Sequence, residues 1–209
     1  MKREWMISAA TAAAGSAVLV GCAVYPEPTR QETEQVVKSS FRERGIAKLD
    51  RLSQSELQVA CSEAALSGKE LPKDVRTRLE RQALATVKLP ADGVYLGDYK
   101  QGERIAQTGV GLQWSDSATT VAGGNCYACH QIAPQEIAYG NIGPSLKEYG
   151  KLRGTSPAVV TYTWSKLWNA HAYNACSQMP RYGDANILTT AQLKDLMALL
   201  LDPKSPVNN

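Results

Sequence analysis

Cys126-Tyr127-Ala128-Cys129-His130 decides how this chain is read. Two thiols separated by two residues, with an imidazole directly after, is the spacing that attaches a c-type haem. Each cysteine can form a thioether to one haem vinyl group, holding the porphyrin edge against a turn of backbone, while His130 reaches the iron from the proximal face. A thioredoxin-like redox pair would want a βαβ context that the flanking residues do not offer. A zinc site would need another ligand pair, and the other cysteines, Cys22, Cys61 and Cys176, are widely scattered. One covalently bound haem c is therefore the expected cofactor.

Two loops downstream offer the rest of a haem site. In Gly140-Asn141-Ile142-Gly143-Pro144-Ser145-Leu146 the proline fixes the backbone and has no N–H, so its neighbourhood can present a carbonyl to the imidazole. A hydrogen bond from His130 Nδ1 to the Pro144 carbonyl would orient the ring and tune the iron, although a simple turn before a helix explains the same residues. The distal ligand has three candidates: His171, Met179 and Met197. Met179 lies 49 positions beyond His130 (179 minus 130), in Ser177-Gln178-Met179-Pro180-Arg181-Tyr182-Gly183, where proline and glycine can hold a thioether toward iron. Met197 falls on the buried face of an amphipathic helix read over 190–201, with Leu193, Leu196 and Leu200, so core packing explains it. His171 stays open as a strong imidazole ligand, against its ordinary reading as a histidine on a helix surface. His130 with Met179 would favour ferrous iron more than two imidazoles would, making the haem a better electron acceptor.

The remaining patterning is helical, so the expected fold class is all-α. Helices are read over 31–44, from a capping box at Ser53-Gln54-Ser55-Glu56, and after Pro72, where Asp74 suits the helix dipole. In the third, Val75, Leu79, Ala83 and Val87 share a face while Arg76, Arg78, Glu80 and Arg81 stay solvated. Pro90, Asp92 and Gly93 break that helix, a boundary falls within 88–97, and glycine-punctuated helices follow: one over 98–107, one from Ser156 and Pro157 to Trp168, and 190–201. Trp164 and Trp168 are read as apolar wall of the haem pocket, with an electron conduit as the sharper alternative.

Composition fits a globular protein of one or two domains: 209 residues, 44% hydrophobic and a formal net charge of +3. No Lys/Arg cluster gives a footprint for phosphates, so nucleic acid is not an expected partner. Lys2 and Arg3 precede a small-residue and apolar stretch over 7–20, too short for a comfortable span and interrupted by Ser8, Thr11, Gly15 and Ser16, which reads as an export segment. Leu19-Val20-Gly21-Cys22 resembles the lipobox of bacterial lipoproteins, which implies acylation of Cys22. An ordinary secretory peptide cut near the run of alanines at 12–14 is the other reading. The expected location is periplasmic, with a lipid anchor to a membrane if Cys22 is acylated. The expected organisation is an export segment over 1–22, a helical extension over 23–95 and a haem domain over 96–209.

Gly124-Asn125-Cys126-Tyr127-Ala128-Cys129-His130, the glycine-proline loop, Met179-Pro180-Arg181-Tyr182-Gly183 and the tail Leu199-Leu200-Leu201-Asp202-Pro203-Lys204-Ser205-Pro206-Val207-Asn208 together resemble the SoxX family, the monohaem subunits of SoxAX complexes in bacterial thiosulfate oxidation. The resemblance covers most of 96–208 and implies a class I cytochrome c-like haem domain; the segment before it looks like the extension of longer members. It implies that Cys126 and Cys129 tether the haem, with His130 proximal and Met179 distal. It also implies a SoxA partner holding the catalytic haem, and a complex that joins thiosulfate oxidatively to a carrier cysteine on SoxYZ, an L-cysteine S-thiosulfotransferase. This chain would relay the electrons to a soluble cytochrome c and hold no catalytic residue. A free-standing lipid-anchored carrier and a haem-bearing assembly protein are the competing readings.

With Cys22 acylated and Cys126 and Cys129 on haem, Cys61 and Cys176 remain as a pair in an oxidising compartment. A disulfide between them would staple the N-terminal helices to the segment just before Met179; two separated buried thiols are the alternative.

Overall fold

The computed structural model describes residues 27–209, so Cys22 and the export segment lie outside the described residues. The chain divides after Phe41 into two compact units, and α1 (Arg30–Ser40) belongs to the first. Its start is a capping box: Thr29 Oγ1 accepts from the Glu32 N–H, and the Glu32 carboxylate accepts from the Thr29 N–H. The helix ends four residues before the expected Arg44. None of its residues is buried, so no packing extends it beyond what capping supports, and Phe41 turns extended.

In the second unit, from Arg42, the regular elements are helices joined by long loops; among the described residues the only β pairing is an isolated bridge between Arg44 and Ala47. It contains α2 (Glu56–Ser67), α3 (Lys73–Ala85), α4 (Tyr99–Gln107), α5 (Tyr149–Arg153), α6 (Pro157–Trp168) and α7 (Thr190–Leu201). The cap of α2 is Ser55 with Gln58, not Ser53 with Glu56. Ser53 closes the preceding 3-10 turn, Leu49–Leu52, by donating its N–H to Asp50 O, and Glu56 pairs with Arg78 of α3 at 2.7 Å. Both members of the expected box are thus engaged elsewhere.

The core is built where α4 crosses α7. A Cβ on Gly102 would sit 2.1 Å from the Asp195 carbonyl oxygen, so only glycine lets the two backbones approach this closely. Ala106 of α4 and Leu193, Leu196, Met197 and Leu199 of α7 are all buried there, Met197 completely. The tail closes over the end of α7: Ser205 Oγ donates to Leu199 O, and the Asn208 amide to Leu200 O and Asp202 O. These bonds satisfy carbonyls the helix terminus leaves without intrahelical partners.

Trp164 of α6 joins the stretch that follows α3 to this core. It is fully buried, its Nε1 donates to Lys88 O at 2.9 Å, and Tyr95 meets it edge-on with centroids 5.6 Å apart. The stretch between α3 and α4, where the sequence suggests a domain boundary, is therefore pinned to α6. From the α3 side, Leu79 and Ala83 are buried, and Glu80 is only part exposed: it accepts from the Ala175 N–H instead of remaining solvated.

Candidate haem-attachment site

Asn125, left-handed at φ 48°, leads into a 3-10 turn, Cys126–Ala128, after which the Cys129 and His130 N–H groups both donate to Cys126 O. One tight turn thus carries two sulfurs and an imidazole. It is anchored on the end of α4, since Gly124 N donates to Ile105 O and Asn125 N to Thr108 O. Cys126 and Cys129 are free thiols and are not bonded to each other. Burial pushes the Cys126 thiol up to about 11, with a hydrogen bond to Tyr182 pulling the other way, so before attachment it stands protonated at neutral pH.

The glycine-proline loop folds back on this turn. Gly143 N donates to Cys129 O at 2.8 Å and Leu146 N to Gln131 O at 2.8 Å. These bonds place Pro144 O 2.7 Å from His130 Nδ1. Because a carbonyl only accepts, Nδ1 is the protonated nitrogen, and Nε2 keeps the lone pair that an iron ligand needs. A Cβ on Gly143 would lie 2.1 Å from His130 Cε1, so the ring lies flat against a backbone without a side chain.

The opposite loop carries Met179, half-buried and packed against the same apolar cluster as Cys126, Tyr127, Leu146, Trp168 and Ile187. Tyr182, three residues on, donates its hydroxyl to Gly124 O at 2.5 Å and so ties this loop to the attachment turn. Burial raises the Tyr182 pKa strongly, which keeps the hydroxyl a donor. Gly183 N and Asp184 N both donate to Trp168 O at the end of α6. On its other side the loop is fixed by Cys61 and Cys176, bonded with Cα atoms 5.5 Å apart, and a groove of about 590 Å³ remains between α2 and Met179.

Of the three distal candidates, Met197 is core. His171 is not on a helix surface: it lies in a 3-10 turn, Ala170–Ala172, is 8% exposed, and turns Nε2 to Ser177 O at 3.1 Å. Tyr182, Gly143 and Ser177 lie inside the glycine-proline and methionine motifs, but nothing in the sequence gives the contacts they make.

These residues fit a covalently held haem. The donor set is two unpaired thiols and an oriented imidazole on one turn, with a thioether on the loop tied across to it. Trp168 Nε1 is buried without an acceptor among the described residues, beside Gly183, a donor that a polar group on the haem edge could satisfy. Cys126, Cys129, His130 and Met179 would hold the haem, which would supply one-electron iron chemistry.

Comparison with known proteins agrees with this chemistry. The family model "Cytochrome c" matches residues 115–203, a span that holds the attachment turn, both loops and the whole of α7. Over 205 residues the chain is 31% identical to a protein of Aquifex aeolicus (strain VF5) named "Uncharacterized lipoprotein", covering 92% of this chain and 94% of that one. No helix among the described residues is long and apolar enough to cross a membrane. A haem-attachment turn closed by two loops on an all-α core, matched in sequence across that same span, identifies residues 115–203 as a cytochrome c domain, with a covalently bound haem c and a role in electron transfer.

Proposed function

We propose that this cytochrome is the electron-transfer subunit of a SoxAX-type complex, relaying electrons from oxidative conjugation of thiosulfate to a SoxYZ carrier cysteine toward a soluble cytochrome c. The observation that carries the reading is that hydrogen bonds join the separate parts of its distributed signature. Cys126–His130, the loop with Pro144 and the loop with Met179 are far apart in sequence, yet His130 Nδ1 meets Pro144 O and Tyr182 meets Gly124 O. His130 and Met179 would give a haem whose potential favours accepting electrons, the property a relay needs. In this reading thiosulfate chemistry belongs to the SoxA subunit, and the L-cysteine S-thiosulfotransferase activity to the complex. In this reading the chain works in the periplasm, where c-type attachment occurs in bacteria.

Co-expression with the SoxA partner followed by size-exclusion chromatography tests it: one species holding both haem subunits supports the relay. Separate migration at micromolar concentration would contradict it and favour a second reading, a free-standing carrier anchored by lipid. That second reading is favoured by the lipobox-like Cys22 together with the name of the Aquifex aeolicus relative. Mass spectrometry of the mature N-terminus decides whether Cys22 is acylated.

A further inference from the structure

We propose that His171 is a positioning residue for the distal loop: its backbone is fixed to α3 through Asn169, and its ring holds the Ser177 carbonyl and thereby sets where Met179 stands. The inference rests on the reading of Met179 as an iron ligand and assigns a task to a histidine outside the ligand set.

The connection runs without a gap. Asn169, 2% exposed, donates its side-chain amide to Thr86 Oγ1 at 3.0 Å and toward Ala83 O at 3.4 Å, both at the end of α3. Its Oδ1 accepts from the His171 N–H at 3.1 Å. The His171 ring then reaches Ser177 O at 3.1 Å, and Ser177 Oγ accepts from the Met179 N–H at 3.2 Å. Ser177 O offers only lone pairs, so Nε2 carries the proton; burial holds the ring below its ordinary pKa and keeps it neutral at pH 7.

Downstream of Met179 the loop is held by Tyr182 on Gly124 O and by Gly183 and Asp184 on Trp168 O, which leaves the segment leading into Met179 to be held from its upstream side. Tyr173, Asn174, Cys176 and Gln178 are exposed, and the stretch forms no helix. On that upstream side the other anchors, the Ala175 N–H on Glu80 and the bond from Cys176 to Cys61, act before Ser177. His171 grips the chain two residues before the thioether. Groups that orient a metal ligand without touching the metal are commonly worth about 10- to 100-fold in ligation. A loop freed at Ser177 would surrender its thioether more readily to a competing ligand.

The test is an imidazole titration of the ferric holoprotein, followed at the sulfur-to-iron charge-transfer band. Wild type is compared with H171F, which keeps ring volume and loses the donor, and H171Q, which keeps an N–H donor. The expected result is a band in wild type, displacement at about 10-fold lower imidazole in H171F, and near-wild-type behaviour in H171Q. The midpoint potential should fall in H171F, as the thioether-ligated fraction falls. An H171F protein that melts earlier but titrates like wild type overturns the proposal, because a merely structural histidine would behave so. If H171F gives no folded holoprotein, H171L is read in the same way. Absence of the band from wild type would instead remove Met179 from the ligand set and the proposal with it.

Discussion

The Tyr182 hydroxyl donates to the Gly124 carbonyl across 58 positions of sequence, so the loop that holds Met179 and the turn that holds the haem thiols are bonded directly. Both groups are buried. Tyr182→Phe keeps the ring and strands the carbonyl, which costs about 1–3 kcal/mol. Chemical denaturation should register that loss while the haem stays covalently attached; unchanged stability would mean that the contact contributes nothing.

Gly143→Ala tests the proximal side. The added methyl would lie 2.1 Å from His130 Cε1, so the ring must move and its bond to Pro144 O must lengthen or break. The thioethers should survive, since neither sulfur is involved. The midpoint potential and the absorption spectrum should change, and a variant indistinguishable from wild type in both would remove Pro144 from the account.

The Cys61–Cys176 bond joins α2 to the segment before Met179 and closes a span of 115 positions. Removing it as the Cys61→Ser, Cys176→Ser double variant should lower stability by about 2–4 kcal/mol. Denaturation midpoints of wild type and variant check the magnitude. Peptide mapping without reductant that found both thiols free would reject the bond itself.

His171 also predicts a pH dependence. Burial lowers its pKa in the folded protein below the ordinary 6.5, so below that pH the unfolded chain binds more protons. Stability should therefore fall as pH drops below 6.5 and level off above it. Denaturation of wild type and His171→Gln from pH 5 to 8 checks this: the variant should show a shallower dependence across that window.

Local chemistry was legible in the sequence where it is encoded locally. The spacing of Cys126, Cys129 and His130 and the span of α7 need only a few adjacent residues to be read. Ser55 displaced Ser53 as a cap because Ser53 and Glu56 found partners that no window of sequence contains. The same limit hid Trp164 on Lys88, Tyr182 on Gly124 and the burial of His171, each set by segments far apart in the chain. Helix α5, which starts directly after a left-handed Glu148 and is five residues long, is too short to leave a periodic signature.

The most direct measurement follows the haem absorbance of this cytochrome after thiosulfate and SoxYZ are added, with and without the SoxA partner. Reduction only when the partner is present is the result expected of a relay whose substrate chemistry lies on the other subunit. No reduction with an active partner present, or reduction by thiosulfate with the partner left out, would contradict the proposed role.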